Sequence, residues 1–88
     1  MYAVVINVTI HDREGAVANL RDNVVPRASS APGFVSGTWF NLEDGKGGSV
    51  IVYETEGAAT AVAGLVHPPP DGSISVDSVD VREVVAHV

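Results

Sequence analysis

Along this chain the spacing of apolar residues switches between two and three-to-four, and it does so twice. That alternation constrains the fold most, because the first period belongs to strands and the second to helices. Tyr2 to Ile10, YAVVINVTI, is rich in β-branched residues and free of Gly and Pro, the composition of a strand. Its one face, Tyr2, Val4, Ile6, Val8 and Ile10, is wholly apolar, and its other, Ala3, Val5, Asn7 and Thr9, is mixed. From Asp12 to Ser30 the period changes. Val17, Leu20, Val24 and Ala28 recur at helical spacing, which predicts an amphipathic helix. Asp12 is placed to cap it, and Asp12 and Glu14 suit its positive end. Arg13, Asn19, Arg21, Asp22, Asn23 and Arg27 are assigned mostly to the opposite side. Pro26 removes an amide donor and predicts a kink, and Pro32-Gly33 ends the helix.

Phe34 to Leu42, FVSGTWFNL, reads as a second strand. Glu43 to Gly48 holds three glycines, which predicts a hairpin turn. Ser49 to Glu54 returns as the third strand. Ala58 to Val66, mostly Ala and Val, predicts a short helix lying flat on a sheet. His67-Pro68-Pro69-Pro70-Asp71-Gly72 breaks it, and the last strand is expected from about Ile74 to Val85.

The order β-α-β-β-α-β predicts one ferredoxin-like α+β domain over residues 1–88, a four-stranded antiparallel sheet with both helices on one face. Such a layer leaves the second sheet face bare. With Val, Phe, Trp and Ile side chains expected there, that face is a large apolar patch. Pairing with a second copy across a two-fold axis removes it. The expected assembly is therefore a homodimer through the open face.

Composition narrows the function classes. The chain has no Cys, which excludes disulfides, thiolate metal sites and a cysteine nucleophile. Five basic residues against eleven acidic ones give a net charge of -6, which argues against a nucleic-acid surface. No apolar run approaches the ~20 residues that span a bilayer. The chain opens on strand-like residues without a basic stretch and signal-peptide core, so a cytoplasmic location and no membrane partner are expected.

Several features resemble the dimeric α+β barrel superfamily and its stand-alone antibiotic-biosynthesis-monooxygenase-like domains. These are the element order, the Pro32-Gly33-Phe34 junction into an aromatic strand, the Tyr53-Glu54 end of the third strand and the Val84-Val85 ending. The resemblance covers nearly the whole chain and is closest to short, uncharacterised bacterial members. It implies the dimeric barrel fold, in a superfamily of cofactor-independent oxygenases, haem-degrading enzymes, isomerases and dismutases. Many catalytic members carry a Trp soon after the Tyr-Glu pair and a His in the second helix. Here Thr55 and Glu56 follow Glu54, and His67 lies past the helix. Haem-degrading members use an Asn on the first strand, a Trp and a His. Asn7 matches in place, but Trp39 lies on the second strand, so the resemblance does not extend to haem degradation.

The candidate ligand-binding residues are Asn7, Trp39 and Tyr53, and the candidate catalytic residues are Asn7 and His67. Asn7, mid-strand, is able to orient a substrate oxygen, or simply to bond its neighbours. Trp39 and Phe40 point to opposite faces, one under the helices and the other toward a partner sheet or a cavity. Trp39 is either packing or a stacking wall for a ligand. Tyr53 is either packing or a hydroxyl at a pocket mouth. His67 titrates near neutral pH, which suits a general base, although a loop His is ordinarily solvated. His11, His67 and His87 have no ligand spacing, so no metal is expected. No cofactor fingerprint is present; Gly45, Gly47 and Gly48 do not form a phosphate loop. Three classes remain: a homodimeric module whose barrel interior binds an apolar small molecule or is simply filled; a cofactor-independent monooxygenase or isomerase acting on an aromatic or enolisable molecule in that pocket; and an interaction subunit.

Overall fold

The computed structural model describes Met1–Val88. Strand β1 is Tyr2–Ile10 and is followed by a helical passage of three contiguous parts: α1 (Arg13–Asn19), a π-helical turn (Leu20–Val24) and α2 (Val25–Ser30). Strands β2 (Phe34–Asn41) and β3 (Lys46–Tyr53) form a hairpin; helix α3 (Glu56–Ala63) and strand β4 (Ile74–Glu83) complete the chain. All neighbouring strands are antiparallel, in the order β2-β3-β1-β4. This is the expected ferredoxin-like α+β arrangement.

Pro26 accounts for the irregular helix. It has no N–H for the Asp22 carbonyl, and its ring would crowd that oxygen in a regular helix. The passage widens just before it, and Val25 N–H donates to the Leu20 carbonyl, five residues back. Asp12 stands at the N-cap of α1, but its side chain makes no capping bond. At α3 the cap is Thr55, whose hydroxyl oxygen accepts from Ala58 N–H at 3.1 Å.

The hairpin turn is shorter than expected. Only Asp44 (φ 59°) and Gly45 (φ 71°) take left-handed angles, and Lys46 N–H closes the turn on the Glu43 carbonyl. That is the geometry of a two-residue type I′ turn. Lys46, Gly47 and Gly48 are therefore strand residues. Gly48 has a reason to lack a side chain: the Phe40 ring covers it, and a Cβ there would stand 2.7 Å from that ring. Elsewhere the boundaries shift by up to three residues, α3 starting at Glu56 and ending at Ala63 where Ala58 to Val66 was expected, and β4 ending at Glu83.

The register sorts the side chains into two faces. Tyr2, Val4 and Ile6 of β1 lie opposite Tyr53, Ile51 and Ser49 of β3, and Val81 and Val79 of β4 continue the row. This face meets the helices: Val4, Ile6, Ile51 and Tyr53 form the core with Ala28 of α2 and Ala59 of α3. Trp39 lies opposite Ser49 and packs against the same core.

The open face differs from expectation. Trp39, Ile6, Ile10, Ile51 and Ile74 are all on the helix side. The apolar residues of the open face are Ala3, Val5, Val50, Val52 and the half-exposed Phe40, a smaller patch than expected. Its other half is polar. Asn7 donates to Ser78 Oγ at 3.1 Å. Asp77 is the extra residue of a bulge in β4 and accepts from Thr9 Oγ1 at 2.8 Å and Lys46 Nζ at 3.4 Å. Beyond β4 the chain crosses one end of the sheet, and His87 Nε2 lies 3.4 Å from Ser36 Oγ on the opposite edge strand.

Candidate functional site

A cavity of about 640 Å³ lies between the helices and the sheet. Its sheet wall is Ile6, Val8, Ile10, Ile51, Ile74 and Val76. Its helix walls are Ala16, Val17, Leu20, Val24 and Ala28 on the first passage, with Val62, Leu65 and Val66 at the end of α3. The space exists because the helices present small side chains: Ala16, Ala28 and Ala59 are buried, and Gly47 and Ser49 give β3 almost no height beneath Val8 and Ile6. Seventeen of the 27 lining residues are hydrophobic, so the walls attract apolar surface and the few polar groups set orientation.

Trp39 supplies the flat aromatic wall. Its indole lies over Gly37, where an added Cβ would stand 2.7 Å from the ring. The polar groups are Arg13, Asn19, Arg27, Ser30, Asn41, Ser49 and His67. His67 Nδ1 lies 3.1 Å from the Pro68 carbonyl oxygen. A carbonyl only accepts, so Nδ1 donates, and in a neutral imidazole so arranged the lone pair lies on Nε2. His67 is exposed, at the rim of the cavity.

Of the residues singled out from sequence, Trp39 and His67 line this cavity and Asn7 and Tyr53 do not. Asn7 is exposed on the opposite face of the sheet, because odd-numbered residues of β1 point away from the helices. Tyr53 is fully buried in the core rather than at a pocket mouth. Its hydroxyl donates to the Ala28 carbonyl at 2.9 Å, and its ring meets Phe34 edge-on. Burial pushes the Tyr53 phenol above its ordinary value. The cavity is also in a different place from the expected one, on the helix side of the sheet and not between two paired sheets. Arg13 and Arg27 were assigned to the polar side of the helix, yet both line the cavity. Their spacing signals it: Arg13, Leu20 and Arg27 are seven residues apart in turn, which returns a helix to nearly the same face. No three His, Asp or Glu side chains come together as a metal site.

No protein-family model matches the chain, and no curated protein matches its sequence. Among solved structures, the chain is similar over its whole length to the haem-degrader MhuD of Mycobacterium tuberculosis, a structure with two haems bound in its active site. The match has a TM-score of 0.63 and 18% sequence identity, and covers 100% of this chain and 99% of that one. The chain shares the ferredoxin-like α+β fold of that structure. At this identity the match bears on architecture, because the same fold hosts unrelated chemistries.

Proposed function

We propose that this chain binds an apolar small molecule in the cavity between its helices and its sheet. The observation that carries the reading is the cavity itself, about 640 Å³ with mainly apolar walls and a few polar groups. That volume falls within the range of roughly 300–1,000 Å³ usual for small-molecule sites. The test is titration with the neutral fluorophore N-phenyl-naphthylamine, read by energy transfer from Trp39, the one tryptophan of the chain. Saturable one-to-one binding is expected, and Val62→Trp, which narrows the space, weakens it. Absence of saturable binding overturns the reading.

A second reading, turnover as a cofactor-independent monooxygenase or isomerase, is favoured by one observation. His67 stands at the cavity with Nδ1 engaged and Nε2 available as a base for an enolisable or aromatic substrate. Haem belongs among the molecules to titrate, since the structural neighbour holds haem in its active site. A shifted Soret band that disappears in His67→Ala is the result that would favour it.

The chain is also proposed to pair with itself through the open sheet face, in the cytoplasm. Val5, Val50 and the half-exposed Phe40 support the pairing as the apolar side chains of the open face that the chain itself leaves uncovered, Ala3 and Val52 being already buried. Sedimentation equilibrium distinguishes the states, with Val50→Lys expected to give a folded monomer. A wild-type monomer at all concentrations rejects the pairing.

A further inference from the structure

The chain has five basic side chains, and three of them are ion-paired: Arg21 with Asp22 at 3.0 Å, Lys46 with Asp77 at 3.4 Å and Arg82 with Asp80 at 3.2 Å. The two without a carboxylate partner are Arg13 and Arg27, and both line the cavity. None of the eleven acidic residues lines it. In a chain of net charge -6, acids outnumber bases two to one, and an unpaired guanidinium is the less expected state for both cavity arginines. The outcome is a mainly apolar space whose only permanent charges are positive, inside a molecule that is otherwise acidic.

We infer that the ligand of this cavity is an apolar organic anion, with its ring or chain on the hydrophobic walls and its acid group on Arg13 or Arg27. The inference rests on the proposed small-molecule site and specifies its chemistry. A guanidinium offers a planar fork of N–H donors that matches a carboxylate or sulfonate in two-point fashion. Arg13 and Arg27 are both exposed, so the acid group is met at the mouth of the cavity, where a neutral ligand would leave the guanidiniums to water. The two arginines stand at different stations of the helical wall. Arg13 opens α1 at the end of the cavity where Ile10 faces Ile74, and Arg27 lies on α2 beside Ala28. Fourteen residues of helix place their backbones roughly 20 Å apart. One acid group therefore meets one of them, and an elongated diacid is able to meet both.

The experiment compares two probes of nearly the same skeleton, anionic anilinonaphthalene sulfonate and neutral N-phenyl-naphthylamine. Each is titrated into wild type, Arg13→Gln, Arg27→Gln, the double glutamine variant and the double lysine variant. In wild type the anion is expected to bind more tightly than the neutral probe. The double glutamine variant should weaken the anion about ten- to a hundredfold and leave the neutral probe within about twofold. The lysine variant should recover part of the loss, because the charge is retained without the fork. The single variants show which station holds the acid group. Equal losses for both probes, or an anion affinity untouched by the double glutamine variant, overturn the inference while leaving the cavity reading intact. Failure of both probes in wild type overturns the cavity reading itself.

Discussion

The Tyr53 hydroxyl donates a 2.9 Å hydrogen bond to the carbonyl oxygen of Ala28, tying the end of β3 to α2. Both residues are buried, and Ala28 also lines the cavity. The bond thus holds a helical wall of the site against the sheet.

Tyr53→Phe removes the donor and leaves the Ala28 oxygen with only the longer 3.4 Å bond from Ala31 N–H. Stability should fall by about 1–2 kcal/mol, measured by denaturant unfolding. The same position carries an alkaline signature. The folded phenol titrates above its ordinary value of 10.0, so the neutral form is favoured in the native state. Its contribution is complete below that value and is lost as pH rises through the higher folded one. Tyr53→Phe should lack this component, and an unfolding midpoint with the same alkaline decline in both proteins would reject the assignment.

Gly37→Val tests the seat of Trp39. A Cβ at residue 37 would stand 2.7 Å from the indole, so the ring has to leave the strand surface. Overpacking of this kind costs about 1–3 kcal/mol. The tryptophan emission should shift to the red, and energy transfer to a probe in the cavity should fall. An unchanged emission maximum in a folded variant would show that the ring is seated some other way.

Pro26→Ala restores the missing amide donor and should convert the π-helical turn to regular helix. The donor from Val25 to the Leu20 carbonyl would then move to Arg21. Such a change rotates Val17 and Leu20 relative to Ala28, all of which line the cavity. A several-fold weaker affinity for the neutral naphthylamine is expected, with amide shifts spread over residues 16–28. Shifts confined to residues 25–27 with unaltered affinity would reject proline as the cause of the widened turn.

Much of this architecture was legible from local patterns. The apolar row Tyr2, Val4, Ile6, Val8 and Ile10 faces the helices as its period implies, and the stripe Val17, Leu20, Val24 and Ala28 lines their inner side. These follow from periodicity alone, since a strand repeats every two residues and a helix every three to four, whatever lies around them. The Asp44-Gly45 turn is equally local, because its left-handed angles are a property of the residues that adopt them.

What stayed hidden depended on which surfaces meet. Trp39 was legible as an aromatic on one face of β2, but the choice of face follows from its pairing opposite Ser49. The same sheet register turns Asn7 toward Ser78 and away from the cavity, and the position of Ala28 on the sheet-facing side of α2 makes Tyr53 a buried strut. Sequence alone set the identity and order of the elements, through torsional preference and apolar spacing. Tertiary structure decided where the empty space lies and which charges border it. A cavity is the volume that packed layers fail to fill, and no single segment encodes that difference.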